Sequence, residues 1–196
     1  MRVIIAVLSY LVGSIPTGYL LVRWTGRKDV RQFGSRSMGA TNVLRVKGFK
    51  IALLVAVIDV LKGFLPAFLA LRFTGDPVFA ALCAFLSVVG HCFPFSIGFR
   101  GGKGMATSLG AYAAIAWQPC AVGVVVFGLV AGLTRLVSLG SILGSLAVPV
   151  SVLAFGGPMG VVAWSLAISA LVVFQHRGNI RRLLKGKERK LGVRSS

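Results

Sequence analysis

Ile51-Ala-Leu-Leu-Val55-Ala-Val-Ile-Asp59-Val-Leu-Lys62-Gly63-Phe-Leu-Pro66-Ala-Phe-Leu-Ala-Leu71 is a run of 21 residues that carries only two charges. At 1.5 Å per residue, a helix of this length spans the roughly 30 Å hydrocarbon core of a bilayer. Asp59 and Lys62 stand three apart, close to one helical turn, so they can pair and lower the cost of placing either in hydrocarbon. Six further apolar stretches accompany this one: Val3 to Val22, Val78 to Phe95, Met105 to Trp117, Cys120 to Leu133, Leu136 to Phe155 and Met159 to Phe174. The first has one preceding charge, Arg2, and no small-residue cleavage site, so it is expected to be a resident helix and not a signal peptide.

Composition supports the same class. Of 196 residues, 56% are hydrophobic and 13% charged, against about 45–50% and about 25% in soluble domains. The mean hydropathy is +0.87. Twenty-two Lys and Arg against four acids give a net charge of +18, but a nucleic-acid partner would require a polar exterior that this composition does not supply. Cys83, Cys92 and Cys120 lie in apolar stretches without metal-ligand spacing, and they read as small buried hydrophobes. The expected fold is an all-α integral membrane bundle of seven transmembrane helices, a single membrane-embedded domain over 1–196.

The basic residues orient that bundle. With seven alternating crossings, eight fall between Arg23 and Lys50, two between Ser96 and Gly104, one at Arg135, and eight after Gln175. All of these share one side, whereas Arg2 and Arg72 lie on the other. The positive-inside rule then predicts an outer amino terminus and a cytoplasmic carboxyl terminus. The stretches from 105 to 133 are short for crossings and fit either tilted spans or a re-entrant hairpin, neither of which reorients the rest. GxxxG spacings at Gly128 and Gly132, Gly140 and Gly144, and Gly156 and Gly160 predict close helix packing.

Three polar segments fall on the cytoplasmic side. The first, Gly34-Ser35-Arg36-Ser37-Met38-Gly39-Ala40-Thr41-Asn42-Val43-Leu44-Arg45, lies in a connection far longer than a turn needs. The second runs from Gly90-His91 to Gly101-Gly102-Lys103-Gly104 and leads into an apolar helix. Its glycines let backbone approach an anion, the helix start offers unpaired N–H groups, and Lys103 adds charge. Ile97 and Gly104 stand where a Walker A loop requires Gly and Ser or Thr. The third is His176-Arg177-Gly178-Asn179-Ile180-Arg181-Arg182-Leu183-Leu184-Lys185-Gly186-Lys187-Glu188, where helical spacing puts His176, Asn179 and Leu183 on one face. Together these segments predict a site for a phosphate ester at the membrane surface, beside a lipid-like second reactant.

The motifs as a set resemble the bacterial acyl-phosphate-dependent glycerol-3-phosphate acyltransferases, the PlsY family. The resemblance rests on Gly34-Ser35, Gly39-Ala40-Thr41-Asn42 and Arg45; Gly90-His91, Phe93-Pro94 and Gly101-Gly102-Lys103-Gly104; His176-Arg177, Asn179-Ile180 and Arg182-Leu183; and Asp59 with Leu61-Lys62-Gly63. It implies acyl transfer from acyl phosphate to the 1-position of glycerol 3-phosphate, giving lysophosphatidic acid, at the cytoplasmic face of the bacterial cell membrane. It also implies that Ser35, Arg45, Lys103, His176 and Asn179 are catalytic. Ser37, Thr41, Asn42, Gly101, Gly102 and Gly104 are expected to bind substrate, and His91, Asp59 and Lys62 to support the site. Membrane lipids are the expected surroundings, and no metal or cofactor is called for. The chain departs from the family at Arg36-Ser37, usually Gly-Asn, and at Gly178, usually Glu. A transporter of a small organic phosphate is the alternative, against which stand outer connections that are short and almost without polar chemistry. An HxxxxD acyltransferase is excluded, because Ser96 and Arg181 occupy the aspartate positions after His91 and His176.

Overall fold

The structure, a computed structural model, describes residues 1–26 and 29–191. Arg27, Lys28 and Arg194, counted in the charge pattern, lie outside the described residues. Among the described residues every regular element is helical, in two compact units, Met1–Ile115 and Ala116–Ser196.

The first unit begins with a broken span. α1 (Arg2–Gly13) stops before Pro16, and α2 (Thr17–Gly26) resumes after it. Proline has no N–H to continue the ladder, and the Ser14 hydroxyl turns back to the Tyr10 carbonyl at 2.8 Å. The long connection that follows holds a 3₁₀ turn, Val30–Gln32, and the short helix α3 (Ala40–Lys47), so it is folded rather than a bare loop. α4 (Phe49–Thr74) contains the quoted run. It ends on Gly75 in the left-handed region, and Asp76 then caps α5 (Pro77–Cys92), its Oδ1 accepting from the N–H groups of Val78 and Phe79 at 3.0 and 3.1 Å. A glycine stop, an aspartate cap and a first-position proline together make a sharp corner between two spans. α6 (Met105–Ile115) closes the unit.

Glycine sets the spacing of these helices. A Cβ at Gly13 or Gly90 would overlap backbone across the α1–α5 contact, and one at Gly63 or Gly110 would do so across α4–α6. In the second unit α7 (Trp117–Thr134) packs on α8 (Val137–Ala154), α8 on α9 (Met159–Gln175), and α10 (Arg177–Leu184) follows α9. Only one of the three GxxxG spacings packs as expected: Gly140 and Gly144 lie against Phe127. Gly128 and Gly132 have no described atom within 4 Å of an added Cβ, because they sit on the exposed side of α7 with Leu129 and Leu133. Gly156, at φ +73°, belongs to the turn after α8.

All seven apolar stretches are helical, but their lengths differ from expectation. Five reach spanning length: Arg2–Gly26, Phe49–Thr74, Pro77–Ile97, Trp117–Thr134 and Val137–Ala154. The bent pair Met159–Gln175 and Arg177–Leu184, turned by 60°, makes a sixth if it is taken as one span. The stretch beginning at Cys120 is extended to 18 residues because Trp117, Gln118 and Pro119 join its first turn. Met105–Ile115 remains a short helix of 11 residues.

Candidate active site

Asn42 organises the first polar segment. Its side chain, on a residue 1% exposed, accepts from the Ser35 N–H at 2.8 Å and donates to the carbonyls of Ser37 at 2.8 Å and of Val30 and Phe33 at 3.1 Å. The amide expected to bind substrate is thus committed to the loop that presents Ser35. Ser37 accepts from the Gly39 N–H at 3.3 Å and holds the turn before α3. Thr41 and Arg45 lie on the exposed side of α3, and Ser35 is half-buried. Arg36 adopts φ +58°, the left-handed region that favours glycine, at the position where the resembling family usually has Gly.

Arg31, which sequence reading passed over, locks this segment to the second. It chelates Asp29, with Nη2 to Oδ2 at 2.9 Å and Nε to Oδ1 at 3.1 Å. Its Nη1 donates to the Ile97 carbonyl at 3.0 Å, and its guanidinium lies 4.9 Å from the Tyr19 ring centroid. The Arg31 bond holds the Asp29 carboxyl below its ordinary value against the opposing effect of burial. Ile97 also packs on the cluster of Val22, Val30, Met38, Val43, Ala52 and Val55. The two segments therefore form one polar rim on the first unit. An acid two residues before an arginine was the available signal, though it did not reveal the second partner.

The glycine-rich turn is built differently from its expected form. Gly101 donates its N–H to the Cys92 carbonyl and Gly102 donates to the His91 carbonyl, both at 3.1 Å. Neither N–H is left for an anion. Both positions require glycine because of close approach: a Cβ at Gly101 would overlap the end of α5, and one at Gly102 would overlap the His91 ring. Gly104, at φ +83°, turns the chain into α6, where its carbonyl accepts from Ser108 at 2.7 Å. Half-buried Lys103 and exposed Arg100 carry the charge of this turn, which leads into the first N–H groups of α6.

His176 and Asn179 belong to the second unit, at the bend between α9 and α10. His176 is buried, and its Nδ1 donates to the Val172 carbonyl at 2.8 Å, since a carbonyl oxygen can only accept. Asn179 donates to Glu188 Oε1 at 2.6 Å, Ser138 donates to the same oxygen at 3.0 Å, and Arg182 Nε donates to Oε2 at 2.7 Å. Burial pushes the Glu188 carboxyl up, but the bonds from Asn179, Arg182 and Ser138 outweigh it and hold the group below its ordinary value. Glu188 is a lone acid in a basic tail, which is its visible signal in the sequence. At Gly178 an added Cβ would meet Arg182 Nη1 at 3.7 Å, so this position has room for a side chain.

Helices of spanning length, with the chemistry-bearing side chains gathered in the connections and at one bend, define an integral membrane protein. Residues 3–186 match the profile of a family described as glycerol-3-phosphate acyltransferase. A glycerol-3-phosphate acyltransferase of Synechococcus sp. (strain CC9902) is 43% identical over 94% of this chain and 92% of its own. That of Syntrophotalea carbinolica is 42% identical over 92% of each. The crystal structure of PlsY (YgiH), an integral membrane glycerol 3-phosphate acyltransferase in its glycerol 3-phosphate form, superposes with a TM-score of 0.94. It is 36% identical over 97% of this chain and 96% of that one. The lysophosphatidic acid form superposes at 0.91 with 35% identity over 97% and 95%. The chain belongs to the glycerol-3-phosphate acyltransferase family and is an acyltransferase of phospholipid synthesis.

Proposed function

We propose that the chain transfers a fatty acyl group from acyl phosphate to the 1-hydroxyl of glycerol 3-phosphate, at the cytoplasmic face of the bacterial inner membrane. In this reading the short helix Met105–Ile115 completes seven crossings in a single membrane-embedded domain, with the amino terminus outside and the carboxyl terminus inside. The observation that carries the reading is the turn clamped at Gly101 and Gly102, which sets Lys103 at the start of α6. A helix start beside an ammonium suits a phosphate dianion.

The acceptor phosphate is held by Lys103 and the first N–H groups of α6. Ser35, on the loop that Asn42 shapes, and Arg45 and Thr41, on α3, serve the same reaction from the rim. His176 and Asn179, at the bend of α9 and α10, are the catalytic residues of the second unit, with Glu188 orienting Asn179. The acceptor hydroxyl oxygen forms a bond to the acyl carbon, the bond from that carbon to the phosphate oxygen breaks, and inorganic phosphate leaves. The hydroxyl proton passes to the acceptor's own phosphate, a dianion near pH 7, and then to the departing phosphate. This assignment suits a chain whose four acids are Asp29, Asp59, Asp76 and Glu188, each of them already bound to a cation.

Purified protein in detergent, given glycerol 3-phosphate and one donor at a time, tests the proposal. Acyl phosphate alone is expected to support turnover, with one inorganic phosphate released per lysophosphatidic acid formed. Equal turnover with acyl-CoA or acyl carrier protein would sink the donor assignment, and acylation of glycerol itself would sink the role given to the acceptor phosphate.

A further inference from the structure

Beneath the glycine-rich turn lies a buried chain of polar groups. Lys62 Nζ donates to the Ile15 carbonyl at 2.8 Å, in the break between α1 and α2. The same ammonium is 2.8 Å from Asp59 Oδ1, an ion pair that lacks the alignment of a hydrogen bond. Asp59 Oδ1 is in turn 3.6 Å from His91 Nδ1, and the far edge of that ring fills the space a Cβ would need at Gly102. Asp59, His91 and Lys62 are 1%, 2% and 3% exposed. Ionised groups within a membrane helix carry a heavy desolvation cost and persist where they do something a hydrophobic residue cannot. Packing alone would be served by apolar residues, as it is elsewhere along α4, so the polar series requires another explanation.

Its two ends supply one. At one end is the Ile15 carbonyl in the break before Pro16, which also accepts from the Thr17 N–H at 2.9 Å, and at the other is the residue immediately before Lys103. We propose that Asp59, Lys62 and His91 are positioning residues that hold the glycine-rich turn at the height its anion requires, tying it to the break in the first span. The proposal rests on the reading that Lys103 and the start of α6 hold the acceptor phosphate, and it adds that this affinity is set from inside the membrane. A helix break fixed by an ammonium makes a stiff footing. The imidazole, whose Nδ1 lies 3.6 Å from the Asp59 carboxylate without a hydrogen bond between them, carries that footing across α5 to the turn by contact.

The test separates affinity from turnover. The paired substitution Asp59→Asn with Lys62→Met removes both charges together, and so avoids the uncompensated buried charge that either single change would leave. In folded protein this variant and His91→Ala should each raise KM for glycerol 3-phosphate about ten-fold, while kcat and the KM for the acyl donor stay within about two-fold. His91→Gln, which keeps a long polar tip under Gly102, should restore most of that KM. Changes of equal size in both substrates' KM values, or a fall in kcat with KM unaltered, would overturn the proposal in favour of a purely structural role. Lys103→Ala serves as the control: if it leaves the glycerol 3-phosphate KM unchanged, the phosphate assignment of the turn fails instead.

Discussion

Replacing Glu188 by Gln separates a carboxylate that orients from one that takes a proton. In the structure Glu188 Oε1 receives Asn179 and Ser138, and Oε2 receives Arg182. A glutamine keeps an oxygen for the first two and turns an NH₂ towards Arg182, so one charge-assisted bond is lost. Such bonds contribute about 1.5–3 kcal/mol, but the Arg182 side chain is 40% exposed, and solvent screening brings the expected loss down to about 1 kcal/mol. For a chain of this size, that lowers the melting temperature by roughly 2–4 °C. Asn179 stays held, so the single-turnover rate at saturating glycerol 3-phosphate should fall less than about ten-fold. Glu188→Ala removes all three bonds and should cost about 3 kcal/mol, taking activity with it. The assay pairs thermal unfolding in detergent with rapid-quench measurement of acyl transfer. Removing a positioned general base costs about 10²- to 10⁴-fold. A loss of that size in Glu188→Gln, with acceptor binding and melting temperature intact, would refute the orienting role and the acceptor phosphate as base.

Lys103→Ala should weaken phosphate-dependent activity by about 10- to 150-fold, whereas Arg181→Ala and Lys187→Ala, exposed on the tail, should change it by less than two-fold; equal mild losses would reduce the turn to a basic surface. Arg36→Gly should raise the melting temperature by roughly 1–4 °C, because relief of a left-handed backbone is only partly offset by the greater freedom of glycine when unfolded. Cysteines at 36, 103 and 179, in a variant lacking the three native ones, should resist an impermeant thiol reagent applied to intact cells, and labelling of any one would overturn the single-face topology. Asp29 and Glu188 have lowered carboxyl pKa values when folded, so their stabilisation is present above the unfolded value near pH 4 and is lost as pH falls through the folded value. Melting temperature should therefore hold between about pH 5 and 8 and fall below about pH 4, an effect that Asp29→Asn with Glu188→Gln should diminish.

The apolar segments were legible because hydrophobicity along a chain directly reports the solvent it crosses. The break at Ser14 to Pro16 was not, since its residues are apolar or small and the clamp on it comes from Lys62, 47 positions away. At Gly101 and Gly102 the structure gives a reason for glycine other than the anion expected there, the close approach of the end of α5 and of the His91 ring. Sequence shows that a side chain is excluded there, not whether an anion or a histidine ring takes the space. Asn42 illustrates the same limit: its four bonds go to backbone atoms that carry no side-chain signature. Glu188 lay nine residues beyond Asn179, past the reach of helical spacing, and only the turn after α10 returns it to its partners.

The helices of the first unit meet through glycine, backbone against backbone at Gly13, Gly90, Gly63 and Gly110. Surfaces joined in this way have no long side chains to re-pack, so sliding one helix past another would open voids that neither lipid nor water fills cheaply. The Ser35 loop and the Lys103 turn, both carried on this block, are therefore expected to keep their places without helix sliding during catalysis. Its bond-making step should be indifferent to the viscosity of the surrounding bilayer, whereas arrival of the acyl donor and departure of the product, both moving through lipid, should slow as the membrane stiffens. In a cold or saturated membrane, exchange with lipid should then set the pace of synthesis, tying the supply of new phospholipid to the material state of the membrane it extends.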